Sequence, residues 1–186
     1  VTAPTGVAAI NAGGVTLHSF FQLPFGPYIP GQANQKNDYQ RFFRFSKEKK
    51  RIIKGLDLLI IDEISMVRAD LLDAVDAVLR RLRRDDRPFG GVQLLLIGDL
   101  FQLPPVIKPN EWQLLQHYYS SIYFFASHAL ARTELVTIEL KKIYRQSDQK
   151  FIDLLNAVRE NRLDNNTARL LDRCADKPVP EDGSIT

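Results

Sequence analysis

Cysteine is scarce in this sequence, since Cys174 is the only one among 186 residues. A single cysteine excludes an internal disulfide framework and a cluster of thiolate metal ligands, and a reducing intracellular compartment is the simpler assumption. Long hydrophobic runs are also missing, because no apolar stretch approaches the roughly 20 residues of a membrane-spanning helix. Near residue 1, no basic segment leads into an apolar one as it would in a signal peptide.

A strong charge of one sign is lacking as well. The 25 basic and 22 acidic side chains leave a formal net charge of only +3, which is compatible with nucleic-acid binding but does not by itself argue for it. The remaining composition is ordinary, because 45% apolar and 25% charged residues are typical of a soluble globular protein. At this length we expect one domain, or one domain with an elaboration.

Short apolar runs alternate with helical patterns along the chain, which predicts an α/β fold with a parallel sheet and flanking crossover helices. Strands are predicted at residues 1–3, 56–61, 92–98 and 135–139. Helices are predicted from apolar spacing and from capping residues, at 7–12, 17–21, 47–54, 69–84, 148–160 and 164–175. Residues 24–45 carry Pro, Gly, Asn and Gln with scattered aromatics, and they indicate a surface excursion.

Three turns follow the predicted strands. They comprise residues 4–6 ("PTG"), 62–65 ("DEIS") and 98–105 ("GDLFQLPP"). The carboxyl ends of parallel strands share one edge of a sheet, and ligands bind beyond that edge. We therefore expect these three loops to meet there and to form the functional site.

Two adjacent acids, Asp62 and Glu63, close the apolar run "LLII". An acid at the end of a buried strand costs desolvation energy unless a cation or a strong donor meets it. An apolar strand that ends in Asp-Glu is the Walker B pattern of nucleotide-hydrolysing proteins. In that pattern Asp62 would hold Mg²⁺ through a coordinated water, and Glu63 would be the general base for the attacking water. The alternative is that both acids only cap the following helix near its positive N-terminus.

The third turn adds two polar side chains. Gln102 is a neutral amide that could bond both a phosphate oxygen and a water, and Asp99 could bond the neighbouring loop or the water shell of a metal. Gln102 is therefore a candidate for catalysis and for nucleotide binding. The alternative is an ordinary turn, closed by Pro104 and Pro105 and started by Asp99.

Five sequence blocks occur in an order that resembles one family. These blocks are "APTGVAA", "TLHSFF", "LLIIDEISMV", "LLLIGDLFQLPPV" and "LKKIYRQSD", and they resemble the petite-integration-frequency (Pif) DNA helicases of superfamily one, which are relatives of the bacterial RecD helicases. The stretch 68–91 looks like the block that distinguishes the Pif group. The resemblance covers most of residues 1–160. It implies an incomplete RecA-like motor domain.

The function that this resemblance implies is an ATP- and Mg²⁺-dependent motor that moves 5′ to 3′ on single-stranded DNA and unwinds duplexes. Its partners would be single-stranded DNA and duplex junctions, with no membrane involved. Its location would be the cytoplasm and nucleoid of a bacterium, or the nucleus or mitochondrion of a eukaryote.

The resemblance also assigns roles to individual residues. Thr5 and Gly6 would grip the DNA backbone, one with a hydroxyl and the other by allowing close approach of the chain. His18 and Phe20 would lie on the same face and would stack on DNA or bond to its phosphates. Arg145 would point towards the γ-phosphate and neutralise charge that develops during transfer.

Each of these roles has a structural alternative. Core packing is the alternative for Phe20 and Phe21, and we expect it for at least one of them. A surface salt bridge to Asp148 or Glu139 is the alternative for Arg145. The basic helix 47–54 and the arginine cluster at 80–84 are predicted to be solvated faces.

The phosphate-binding loop G-x-x-x-x-G-K-[ST] does not occur in the sequence, which contains no Gly-Lys-Ser or Gly-Lys-Thr. In the family, this loop lies just upstream of the first block, and a second motor domain lies downstream. We therefore expect residues 1–175 to be part of a first motor domain, residues 176–186 to be a linker, and these 186 residues alone to lack useful ATP hydrolysis. Two other classes stay open, namely a RecD-like or AAA-type ATPase with a remodelling role and a non-catalytic DNA-binding module.

Overall fold

A computed structural model describes residues 1–30, 45–144 and 146–175, without the side chains of residues 174 and 175. The chain divides into two compact units, Val1–Val136 and Thr137–Thr186. The predicted boundary between residues 175 and 176 stays a prediction, because 176–186 lie outside the described residues. Where the structure describes the chain, no helix is both long and apolar enough to cross a bilayer.

The first unit is built on a four-stranded parallel sheet. Its strands are β1 (Thr2–Ala3), β2 (Val15–Thr16), β3 (Leu58–Ile61) and β4 (Gln93–Leu96), in the order β2-β1-β3-β4. Thr2 lies opposite Ile61, and the four residues of β3 lie opposite those of β4 in register. The predicted α/β class with a parallel sheet and flanking helices is confirmed.

Helices connect or follow these strands, and local capping residues define where several of the helices begin. They are α1 (Gly6–Asn11), α2 (Leu17–Phe21), α3 (Lys47–Lys54), α4 (Ala69–Arg83) and α5 (Pro109–Leu115). The side-chain oxygens of Thr5, Thr16 and Ser46 accept the backbone N–H groups that open α1, α2 and α3. The predicted helix bounds are therefore close to the observed ones.

The core lies between α4 and the sheet. The apolar face of α4 is fully buried and includes Leu72, Val75, Val78 and Leu79. These residues pack in one cluster with Leu59 and Ile61 of β3 and with Phe21 of α2. Phe21 thus has the core role that was expected for at least one of the two adjacent phenylalanines.

Three acidic side chains of α4 are also buried. Asp70, Asp73 and Asp76 are 1%, 6% and 5% exposed. Asp73 accepts hydrogen bonds from the hydroxyls of Tyr119 and Ser127 and from the backbone N–H groups of residues 128 and 129. The helix is therefore fixed to the segment 119–130 by an acid that is fully hydrogen-bonded.

One arginine of the predicted solvated cluster is a structural residue. Arg83 donates to the carbonyl oxygens of Lys54, Leu56 and Gly90 at 2.7–2.8 Å. It thereby satisfies carbonyls at the C-terminal end of α3 and in the loop that precedes β4. The prediction of a solvated face is wrong for this side chain.

The predicted strand at 135–139 is also wrong. Residues 133–144 have no regular structure, and Val136 and Ile138 are 85% and 79% exposed. Their apolar alternation is a strand signal only where a neighbouring strand supplies ladder hydrogen bonds and a surface to pack on. Among the described residues, no strand pairs with this segment.

The second unit contains two helices, α6 (Gln149–Arg159) and α7 (Asn165–Ala175). The Asp148 carboxylate accepts the N–H groups of Lys150 and Phe151 and so caps α6. The predicted helices at 148–160 and 164–175 are confirmed to within one residue at each end.

Candidate functional site

The turns after β3 and β4 are in direct contact. The N–H of Ile64 donates to the Ile97 carbonyl, and the N–H of Ile97 donates to the Ile61 carbonyl, both at 2.9 Å. A Cβ atom on Gly98 would lie 2.9 Å from Ile64 Cγ2 and 3.0 Å from its backbone nitrogen. Glycine is therefore required at position 98, because any side chain would push the two turns apart.

The turn after β1 belongs to the same edge of the sheet. The N–H of Asp62 donates to the Thr2 carbonyl at 2.8 Å, and Thr2 Oγ1 donates to the Ile60 carbonyl at 3.0 Å. Residues 4–6 leave β1 beside this contact. The three turns therefore share one edge, as the sequence predicted.

Asp62 and Glu63 form a tight bend between β3 and a 3₁₀ turn, Ile64–Met66. Glu63 has left-handed backbone angles, φ 51° and ψ 45°, and its N–H donates to Asp62 Oδ1 at 3.0 Å. The Glu63 carboxylate makes no hydrogen bond or ion pair within the described residues. The capping alternative receives no support. Glu63 precedes the 3₁₀ turn but its side chain makes no cap hydrogen bond, and the long helix α4 begins only at Ala69, with Arg68 at its cap position.

Gln102 is fixed by Asp99. Asp99 Oδ2 accepts the Gln102 side-chain amide at 3.1 Å, and Oδ1 accepts the N–H of Phe101 at 3.0 Å. Asp99 is therefore a turn former, as the structural alternative held, and at the same time it orients the Gln102 amide. Gln102 lies on the loop next to the bend that carries Asp62 and Glu63.

A pocket of about 350 Å³ opens near the start of α1. The polar and aromatic residues that line it are Thr5, His18, Phe25, Arg68, Lys108 and Glu111. Thr5 Oγ1 accepts the Ala8 N–H at 3.2 Å, and this leaves the hydroxyl hydrogen able to donate to a ligand. A Cβ added to Gly6 would meet nothing within 4 Å, so the chain is openly accessible there.

His18 stacks on Phe25 at the mouth of this pocket. The two ring centroids are 5.4 Å apart and the planes are inclined by 10°. Burial lowers the pKa of the His18 imidazole and the Arg68 guanidinium lowers it further, while Asp70 acts in the opposite direction. The net shift below 6.5 keeps the ring neutral at pH 7.

Phe20 does not join His18 in the pocket, contrary to the expectation of a shared face. It packs against the main core cluster, with its ring 4.8 Å from that of Phe21 and 4.1 Å below Lys49 Nζ. On a short helix, residues two positions apart point in different directions. Arg145 lies outside the described residues, so its predicted role stays a prediction.

An ion-pair network organises the pocket. Arg68 donates to both carboxylate oxygens of Asp70 at 2.8–2.9 Å, to Glu111 at 3.3 Å and to the Gly26 carbonyl at 3.4 Å. The Arg68–Asp70 pair has a weak local signal in the sequence, because both residues lie at the start of a helix. Glu111 has no such signal, because it is 43 positions from Arg68.

Nearly the whole sequence is similar to a known family of proteins. The sequence model described as PIF1-like helicase matches residues 1–169. The chain belongs to the PIF1-like helicase family. Two curated members are similar over nearly the whole chain. The ATP-dependent DNA helicase PIF1 of Saccharomyces cerevisiae is 40% identical over 100% of this chain, and that of Homo sapiens is 39% identical over 99% of it.

A solved member of the PIF1-like family has the same fold. A Bacteroides Pif1 helicase in complex with ADP-AlF3 and ssDNA superposes with a TM-score of 0.87 at 46% identity, covering 96% of this chain and 40% of that one. The predicted RecA-like motor fold is therefore confirmed. The chain spans 20% of the yeast relative and 26% of the human relative.

Proposed function

We propose that this chain is part of the motor of a Pif-like, ATP-dependent DNA helicase, which couples ATP hydrolysis to 5′–3′ movement on single-stranded DNA and to duplex unwinding. The observation that carries this proposal is the contact between the bend of Asp62 and Glu63 and the loop of Gln102. It assembles an acid pair and an oriented amide at the sheet edge where such folds bind ligands. The names of the relatives, ATP-dependent DNA helicases, support the same function.

Mg²⁺ fits the residues at this edge. One oxygen of Asp62 accepts the Glu63 N–H, and the other is available for a metal or its water. The described residues contain no cluster of three ligating side chains, and a single carboxylate suits an ion that keeps most of its waters and shares the phosphates of a nucleotide. When bound there, the ion would neutralise charge on the phosphates.

Glu63 is the general base in this proposal. Its carboxylate is committed to no protein donor among the described side chains and is held on a strained left-handed bend. It can therefore orient a water and accept a proton from it. Gln102, fixed by Asp99, would bond the same water or a phosphate oxygen, and Arg145 would supply positive charge to the γ-phosphate.

Single-stranded DNA is the proposed partner at the pocket. The Thr5 hydroxyl can donate to a phosphate, and the backbone at Gly6 is open to close approach. His18 lies beside them and would contact the same strand. Because DNA is the proposed substrate, we place the protein in a DNA-containing compartment, which is the nucleoid of a bacterium or the nucleus or mitochondrion of a eukaryote.

Strand displacement by the complete natural protein tests this function. We expect ATP-dependent unwinding of a duplex with a 5′ single-stranded tail, no unwinding with a 3′ tail, and loss of unwinding in the Glu63→Gln variant with DNA binding retained. Glu48→Gln makes the same chemical change at an exposed residue of α3 and should unwind normally. Full unwinding by Glu63→Gln would show that the general base is assigned wrongly.

A further inference from the structure

Phe25 is an exposed aromatic ring on an anchored segment. Its side chain is 94% exposed, although the neighbouring Leu23 and Ile29 are both buried. The backbone on its C-terminal side is also fixed, because the Gly26 carbonyl accepts from Arg68 and the Tyr28 N–H donates to Asp70 at 2.9 Å. The ring is therefore held out at the pocket by its surroundings, and packing does not account for its position.

His18 supports one face of this ring. The two rings are near-parallel, with a 10° angle between the planes and 5.4 Å between the centroids, and the 94% exposure of Phe25 leaves the face that points away from His18 accessible. The lowered pKa of His18 keeps the imidazole uncharged at pH 7, so it acts as a flat aromatic support and adds no positive charge. Such a two-ring stack offers a surface that suits a further flat aromatic group.

The charges around the pocket favour an uncharged group over a phosphate at this position. Arg68 is 16% exposed and is paired with both Asp70 and Glu111, so its positive charge is compensated. The remaining cation of the pocket lining is Lys108, and the walls near it include the apolar side chains of Met66, Leu71 and Val106. A ligand group that binds here would gain more from stacking than from charge.

We propose that Phe25, supported by His18, is a stacking platform for one base of single-stranded DNA at the mouth of this pocket. This inference rests on the proposed function and deepens it, because it assigns different parts of the DNA strand to different residues of the pocket. Thr5 and Gly6 hold the backbone, and Phe25 holds a base. Stacking on an aromatic side chain tolerates any base, which suits a motor that must pass along every sequence.

The experiment compares Phe25→Ala and Phe25→Trp with the wild-type complete protein. Affinity is measured by fluorescence anisotropy with oligo-dT, and with a series of oligo-dT strands in which one abasic site is moved along the sequence. We expect Phe25→Ala to bind oligo-dT about tenfold more weakly, and Phe25→Trp to bind as the wild type does. The salt dependence of binding should be the same in all three proteins, because no phosphate contact is lost.

The abasic series distinguishes stacking from other effects of the substitution. For the wild type, one abasic position should weaken binding by about the same tenfold, and Phe25→Ala should show no further loss at that position. Wild-type affinity for Phe25→Ala, or an equal abasic penalty in both proteins, would overturn the platform and leave the proposed function intact. A wild-type protein that unwinds no DNA and binds no oligo-dT would overturn the proposed function itself.

Discussion

Acidic residues occupy two neighbouring regions of this molecule and are treated in opposite ways. On α4, Asp73 is buried and accepts four hydrogen bonds from donors that lie 46 to 56 positions away. At the bend after β3, the Asp62 carboxylate accepts one hydrogen bond from its neighbour, and the Glu63 carboxylate accepts none within the described residues. Residues of the same chemical type therefore stabilise the fold in one place and remain available in the other.

The number of hydrogen-bond donors around a carboxylate separates structural acids from candidate functional ones. A carboxylate whose oxygens are all satisfied by the fold has no capacity left for a metal, a water or a substrate. One that is partly exposed, short of partners and located at the carboxyl edge of a parallel sheet retains that capacity. By this criterion, Asp62 and Glu63 are the acids that we propose for the chemistry, and those of α4 hold the scaffold.

Removing a structural acid should cost the most stability. We expect Asp73→Ala to lower the free energy of unfolding by about 3–5 kcal/mol, because it leaves buried donors on Tyr119, Ser127 and Ala129 without an acceptor. Urea denaturation followed by circular dichroism measures this loss. Glu63→Ala is the matched control and should stay within about 0.5 kcal/mol of the wild type. Equal losses in the two variants would remove the distinction between the regions.

The scaffold also depends on the arginine that bridges α3 and α4. We expect Arg83→Ala to destabilise the protein by about 2 kcal/mol, because the carbonyls of Lys54, Leu56 and Gly90 lose a charged donor. Arg83→Lys should recover only part of this loss, since an ammonium group cannot reproduce the planar fork of a guanidinium. Full recovery by lysine would indicate that charge alone matters at this position.

A smaller effect concerns the pH dependence of stability. Burial raises the pKa of Asp76 above 3.8, although the Phe89 N–H and the guanidinium groups of Arg80 and Arg132 oppose the shift. Between 3.8 and the raised value, the folded state holds this proton more tightly than the unfolded chain does, so the contribution of Asp76 to stability falls as the pH rises through that window. We expect Asp76→Asn to abolish this component. Unfolding curves of both proteins from pH 4 to pH 7 measure this component. The same pH profile of stability in Asp76→Asn and in the wild type would contradict the prediction.

Local signals predicted much of this fold correctly. The apolar runs of β3 and β4 and the caps Thr5, Thr16 and Ser46 depend on residues within a few positions of one another. The meeting of the turns at one edge followed from the parallel sheet alone. The first prediction is confirmed because it depends only on residues close together in the chain. The second is confirmed because the topology of a parallel sheet determines where its turns lie.

Long-range partners explain what the sequence did not reveal. Asp73 and Arg83 resemble polar surface residues in the helical pattern, and only the folded chain supplies the donors and the carbonyls that bind them. The segment 135–139 has the alternation of a strand, but the described residues give it no neighbour with which to pair. The platform at Phe25 was also invisible, because a lone phenylalanine in a loop carries no periodic signal.

In the proposed function, the bend after β3 carries out the chemistry. Single-turnover cleavage of ATP measures this chemical step itself, with the complete protein saturated with single-stranded DNA and the Glu63→Gln variant compared with the wild type. We predict that Glu63→Gln binds ATP and DNA with normal affinity and cleaves ATP at least about 100-fold more slowly. Cleavage at the wild-type rate would contradict the assignment of these acids.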